Sequence, residues 1–354
     1  MNRHPAEIGV YKDVMREPGL RRVSFFCIFL IAGVWILLPS AMASEMASER
    51  GRWAILISGV SGDPELQKTY LQEITDLHSV LESSLGFPRD NIAVLFDDPS
   101  KKPDLIKHKS TREELENVSR DFARRVKKDD FVFVFIEGHG GYDGRTYKLN
   151  LVGPDPNGED LAAMLYSIPA RELVVVNVTN CSGGSIPAFS GPGKIIMTAT
   201  KSGMEKNQTH AGRYFVDALR NNAADSDKDG RVSVLEAFVY TRQKIEDYYK
   251  AEGNLQTEHP VLDDNGDGMA QTNPTPENGE GLLARTTYLS PALTGPAGLI
   301  LTAEQRKLLK EVQDLERQIE ALKYAKGEMP EADYELKLEE LMLKLAKTNA
   351  KLPR

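Results

Sequence analysis

The chain has 354 residues, 41% hydrophobic and 27% charged, with 52 acidic against 44 basic side chains and a formal net charge of -8. That length allows one large packed domain plus an appendage. The acidic balance, with no sustained Lys/Arg stripe interleaved with aromatics, argues against a protein that neutralises phosphates, so nucleic acid is not an expected partner.

Basic residues up to Arg21 and Arg22 precede the apolar run VSFFCIFLIAGVWILLP, Val23 to Pro39, and Ala41 and Ala43 then form a small-residue cleavage pattern. Residues 1–43 read as an export signal, which sends the mature chain to a periplasm or outside the cell. The alternative is an uncleaved anchor over residues 23–39, because this run lies at the lower edge of what spans a bilayer; only then is a membrane a partner. Cys27 falls inside the signal, so a cleaved chain keeps Cys181 alone and has no partner for an internal disulfide. An unpaired thiol in an oxidising compartment needs to be buried or used for chemistry.

The first element after the signal is RWAILISGV, Arg52 to Val60, a short apolar run that predicts a buried strand. Leu71, Ile74, Leu77, Leu81 and Leu85 then repeat at helical spacing before Gly86 and Pro88. NIAVLFDD, ending at Asp97 and Asp98, predicts a second strand. In STREELENVSRDFARRVKKDD, Ser110 or Thr111 with Glu113 and Glu114 predicts a capping box for a helix that buries Leu115, Val118, Phe122 and Val126. FVFVFIEG, ELVVVNVTN and GKIIMTAT follow as wholly apolar strands. Such runs between amphipathic helices predict an α/β fold, a mainly parallel sheet with helices on both faces, over residues 44–295. In these sheets chemistry gathers beyond the carboxyl ends of the strands, and His139 and Cys181 both stand at such ends.

A histidine or a cysteine alone is more often structural. Together they meet the needs of acyl transfer: a thiolate, a proton donor for the leaving amine, and N–H donors for the oxyanion. The glycines of GHGG and NCSGGS let backbone approach a substrate, which offers the Gly140 and Cys181 amides as oxyanion donors.

EGHGG and NCSGGS at the ends of successive strands, with RWAILISGV opening the domain and GFPRDNIAVLFDD before the second strand's end, resemble the legumain family within the caspase-like cysteine peptidases, as an exported, bacterial-type member. The resemblance covers Arg52 to Leu219. It implies a caspase-like sheet, peptide or protein substrates, His139 as general acid/base, Cys181 as nucleophile, and the Gly140 and Cys181 amides as the oxyanion hole; in the family the two side chains form a dyad that need not touch before substrate arrives. The chain departs from the pattern at Thr179, where legumains carry an acidic residue, and at Tyr70-Leu71, where they carry an Arg-His pair. A pocket specific for Asn, Asp, Arg or Lys is therefore unsupported, and a smaller or apolar preference is compatible.

DSDKDGRVSVLE places Asp225, Asp227 and Asp229 at positions one, three and five of an EF-hand-like loop, Gly230 at six, the Arg231 carbonyl at seven, Ser233 at nine and Glu236 at twelve, the oxygen donors that Ca2+ takes. The competing reading is a solvated acidic turn that caps the next helix. A second loop over residues 263–268 starts with Asp263, Asn265, Asp267 and Gly268 but has Pro274 at position twelve. It reads as an Asx-stabilised turn, with a weak or shared Ca2+ site behind that. No organic cofactor is expected.

From Leu301 the apolar residues step by seven, four or three through Leu322, and Tyr334, Leu338, Leu341, Leu345 and Leu352 resume the pattern after KGEMPEADY. Residues 296–354 thus predict a helical hairpin of coiled-coil type, for packing, self-association or inhibition of the site. Three functional readings remain: a cysteine endopeptidase stabilised by calcium, a non-catalytic calcium-binding interaction module on the same scaffold, and a transpeptidase or ligase using the same dyad.

Overall fold

The computed structural model describes residues 51–220, 223–290 and 302–352. The signal or anchor expected over residues 1–43 lies outside the described residues. No helix among the described residues is long and apolar enough to cross a membrane.

The chain opens with β1 (Arg52–Ser58), α1 (Pro64–Ser83), β2 (Ile92–Phe96), β3 (His108–Lys109), α2 (Arg112–Arg125) and β4 (Phe131–Glu137). Asp63 starts α1 by accepting from the Glu65 and Leu66 amides, with Pro64 at the first position, where its missing N–H costs nothing. Thr111 caps α2 through the Glu114 amide at 3.1 Å, but the expected capping box is only half made. Glu114 turns to His108 Nδ1 at 2.9 Å instead of back to the cap, because β3 brings that imidazole alongside.

A small hairpin, β5 (Gly140–Tyr142) and β6 (Tyr147–Leu149), precedes α3 (Gly158–Tyr166) and β7 (Glu172–Asn177). β7 stops three residues earlier than its apolar run suggests, because the Asn177 side chain turns forward to accept from the Thr179 amide and hydroxyl. Then come α4 (Ile186–Phe189), β8 (Lys194–Thr198), α5 (Ala211–Arg220), α6 (Val234–Glu252), β9 (Val261–Asp263) and α7 (Leu282–Thr286). The hairpin follows as α8 (Ala303–Tyr324) and α9 (Glu331–Asn349).

The main sheet has the order β3-β2-β1-β4-β7-β8-β9; every pairing is parallel except that of β9 with β8. The expected α/β class with helices on both faces is what the chain adopts. Phe131, Phe133 and Phe135 of β4 point into the layer formed with α1, α5 and α6, while Val132, Val134 and Ile136 meet Leu115, Val118 and Phe122 of α2 and Leu161 and Leu165 of α3. Burial on both faces is why the strand reads as an unbroken apolar run. Each such side chain removed from water stabilises the fold by about 1.5–3 kcal/mol. Phe215 of α5 stacks on Phe133 and Phe135, at 6.1 Å from each ring.

The chain runs outward from β1 through β2 and β3 and returns to β4 on β1's other side. A topological switch point therefore opens between the carboxyl ends of β1 and β4, where loops diverge and leave a crevice.

In the hairpin, Val312, Leu315, Ile319 and Leu322 are buried and Tyr334, Leu338, Leu341 and Leu345 half-buried. Its polar links to the rest of the chain run from Glu316 to Arg231, from Glu320 to Arg285 and from the Tyr324 hydroxyl to the Glu280 carbonyl.

Candidate active site

His139 stands two residues beyond β4, half-buried, at the switch point. Its Nε2 lies 2.7 Å from the Ser61 carbonyl oxygen in the loop after β1. A carbonyl can only accept, so Nε2 carries the proton and Nδ1 is the nitrogen left for proton transfer. The ring is also set edge-on to Tyr70, with centroids 6.5 Å apart.

Cys181 lies beyond the neighbouring strand, since β4 and β7 pair from Phe131 with Glu172 to Ile136 with Asn177. It adopts a left-handed backbone, φ 60° and ψ 6°, which costs a residue with a Cβ about 1–2 kcal/mol. The turn is held by its surroundings: the Gly183 amide donates to Thr200 Oγ1 at 2.8 Å, and Ser182 Oγ accepts from the Ala199 and Thr200 amides. Gly183 has to be glycine because a Cβ there would collide with the Lys201–Ser202 backbone.

The two motifs meet through Asn180, to which the sequence reading assigned no role. Its Oδ1 accepts from the Gly140 amide at 2.8 Å, and its Nδ2 lies 3.8 Å from Cys181 Sγ and 3.0 Å from the Lys206 carbonyl. The Cys181 amide, the other expected oxyanion donor, is taken at 2.8 Å by the Glu205 carbonyl. Both donors are thus occupied in this conformation. The Cys181 side chain is 1% exposed, and burial pushes its thiol up, opposed in smaller measure by Lys206.

The segment from Thr200 to Glu205, which packs against the Cys181 turn at Gly183 and holds the Cys181 amide, is pinned by Glu205. Its carboxylate accepts from His259 Nδ1 at 2.6 Å, the His259 amide at 3.2 Å and the Lys201 amide at 3.1 Å.

Beside His139 is a cavity of about 70 Å³ whose polar lining includes Tyr70, Glu73, Glu137, Thr209, His210 and Arg213. Glu137 is 3% exposed and its Oε2 has no hydrogen-bond partner. Glu73 lies against it across Gly212, where a Cβ would collide with the Glu73 carboxylate and sit 3.3 Å from that of Glu137. Burial, then the Glu73 charge, raise Glu137 well above the usual carboxylate range; burial raises Glu73 too. The acidic position expected to govern specificity plays no such part here: Thr179 is fully buried and bonded to the Tyr147 hydroxyl at 2.7 Å. The visible cue to the acidic cavity was a glutamate closing an otherwise apolar strand.

No protein-family model matches the chain, and no curated protein does. Among solved structures it is similar to the Drosophila initiator caspase Dronc, with a TM-score of 0.34 and 11% identity over 62% of this chain and 80% of that one. It is also similar to Raptor of Chaetomium thermophilum, with a TM-score of 0.35 and 10% identity over 84% of this chain and 35% of that one. Likeness at this level says nothing of chemistry, for which the residues themselves have to answer.

The loop at 225–236 brings together carboxylate oxygens of Asp225, Asp227 and Asp229 within 4.8 Å of one another. Of the other expected donors, Glu236 and Ser233 are engaged with one another and with Ser226. Glu236 Oε1 accepts from the Ser226 amide and hydroxyl, and Oε2 from the Ser233 amide and hydroxyl, completing a capping box that starts α6. The Arg231 guanidinium pairs with Asp229 at 2.6 Å and lies 3.9 Å from the centre of the Tyr288 ring. Three carboxylates are thus grouped, one of them paired with Arg231, and Glu236 joins them only by releasing the cap. In the second loop Asp263 and Asp267 are brought together, and the third carboxylate beside them is Glu280, which the sequence reading did not include.

Proposed function

We propose that the chain is an exported, caspase-like cysteine endopeptidase acting through His139 and Cys181, with Ca2+ as a structural ligand of the 225–236 loop. The observation that carries this reading is the imidazole whose Nε2–H is held by the Ser61 carbonyl, with Nδ1 left for proton transfer, one strand away from a cysteine on a strained turn. A base oriented by a third group next to a nucleophile is the arrangement that nucleophilic catalysis requires.

In the reaction, the Cys181 proton passes to His139 Nδ1 as sulfur adds to the scissile carbonyl carbon. The C–N bond then breaks and the imidazolium returns that proton to the leaving amine. Water, deprotonated by the same nitrogen, cleaves the thioester and restores the thiol. The Gly140 and Cys181 amides reach the oxyanion only after Asn180 Oδ1 and the Glu205 carbonyl withdraw, so substrate binding has to open the 200–205 segment. The cavity beside His139 is lined by two carboxyls whose pKa burial raises and by His210 and Arg213, so it suits a polar side chain better than the small or apolar one expected from Thr179 and Tyr70.

The occupied amides and the covered thiol are also what a non-catalytic module on this scaffold would have. Labelling by a peptidyl electrophile separates the readings: the peptidase is labelled, Cys181→Ala is not, and His139→Ala is slowed by about 10²–10⁴. Equal labelling of all three, or none of any, sinks the peptidase.

A further inference from the structure

Four carboxyl groups gather where β9 ends. Asp263 and Glu280 are fully buried, Asp264 is 6% exposed, and Asp267 stands exposed at the loop tip. Asp263 Oδ2 accepts from the Gly268 amide and Ser190 hydroxyl, each at 2.7 Å, and its Oδ1 from the Gly266 amide at 3.0 Å. Asp264 caps α7 by accepting from the Gly281 and Ala284 amides, each at 2.7 Å. Glu280 Oε2 accepts from the Asp264 amide at 2.7 Å and the Asn265 amide at 3.3 Å. Its Oε1 is buried and accepts from nothing.

A carboxylate oxygen of Asp263, one of Asp267 and one of Glu280 lie within 4.8 Å of one another. Among the described residues, no lysine or arginine forms an ion pair with any of the four acids. A buried carboxyl with an unfilled oxygen, within 4.8 Å of two further carboxylates and lacking a basic counter-charge, is disfavoured as an anion unless a proton, as its contact with Asp264 allows, or a cation joins it.

We propose that Asp263, Asp267 and Glu280 form a structural Ca2+ site, in a loop that Asn265 braces by accepting from the Asp267 amide at 2.8 Å. The donor set is all carboxylate oxygen, the chemistry of a hard divalent cation. Gly266 and Gly268 have φ of 83° and 77°, which curls the loop so that Asp263 and Asp267 meet. The linear motif lacks its closing glutamate because Pro274 stands at position twelve. Glu280 supplies that carboxylate from further along the chain, brought back by the turn at Pro276–Asn278. The site joins three parts of the molecule: Ser190 after α4 through Asp263, α7 through Asp264, and α8 through the Tyr324 hydroxyl, which donates to the Glu280 carbonyl at 2.7 Å. The inference is independent of the peptidase reading.

Calcium titration of the chelator-stripped full chain by calorimetry tests it, with Glu280→Gln, the exposed Asp267→Asn, and Asp225→Asn/Asp227→Asn to disable the first loop. Glu280→Gln and Asp267→Asn each lose one equivalent of bound Ca2+, or bind it at least about tenfold more weakly, whereas the first-loop double variant keeps this equivalent. Tm is the second readout. Glu280→Gln melts no lower than wild type in chelator, since a neutral amide replaces an unpaired buried carboxyl, but gains less than wild type on adding Ca2+. The proposal is overturned if wild type binds no Ca2+ up to about 10 mM. It is equally overturned if Glu280→Gln and Asp267→Asn both bind with wild-type stoichiometry and affinity, or if the first-loop variant alone abolishes binding.

Discussion

Glu205→Ala should unlatch the segment that holds the Cys181 amide. The Glu205 carboxylate accepts two hydrogen bonds that tie the 200–205 segment to His259 and a third, from the Lys201 amide, that braces the segment internally, while its own carbonyl holds the Cys181 amide. Hydrogen bonds to a charged group contribute about 1.5–3 kcal/mol each, but three on one side chain share their effect. The side chain is only 14% exposed, so solvent screens it little. Taking about 3 kcal/mol for the latch as a whole, and a factor of ten in an equilibrium per 1.4 kcal/mol, the open population rises about a hundredfold. Cys181 is 1% exposed and reacts only when open, so its alkylation by iodoacetamide should accelerate by that factor. The assay is mass spectrometry of the Cys181 peptide in a Cys27→Ser background. Leu115→Ala, in the α2 layer, is the control; it costs about 2–5 kcal/mol of global stability without touching the latch and should leave the rate unchanged. An unchanged rate in Glu205→Ala, or equal acceleration in Leu115→Ala, refutes the latch.

Glu258 is fully buried and accepts both its short bonds from the His210 amide; burial pushes it up to about 8 from 4.5. Its stabilising contribution is complete below pH 4.5 and is lost as the pH climbs towards 8, amounting to about 3 kcal/mol by pH 7. Urea unfolding of wild type and Glu258→Gln should therefore diverge by about that amount between pH 4.5 and 7, and a constant difference contradicts the assignment. Among C181 variants, glycine relieves the left-handed strain that alanine retains, so Cys181→Gly should unfold at higher denaturant than Cys181→Ala by about 1 kcal/mol, inverting the usual order. Glu137→Gln should change the preference for glutamine over leucine at the cleaved residue in a peptide library, mainly through KM; an unaltered ratio removes Glu137 from recognition.

What the chain determined by itself is what acts over a few residues. β1, β4, β7 and β8 are legible as apolar runs because both faces of an inner parallel strand are buried, whatever covers them. The hairpin helices are legible from their apolar stripe, the start of α6 from Ser233 and Glu236, and the positions of His139 and Cys181 from the strands that end before them. The tertiary structure alone decided what those residues meet. Asn180 holding the Gly140 amide, Glu205 holding the Cys181 amide, Glu73 lying against Glu137, and Glu280 standing where Pro274 offered no ligand are contacts across 13 to 64 positions. They depend on strand register and on how helices cross the sheet. Periodicity says which face of an element is buried, and a cap says where it starts, but neither says which distant side chain that face will find.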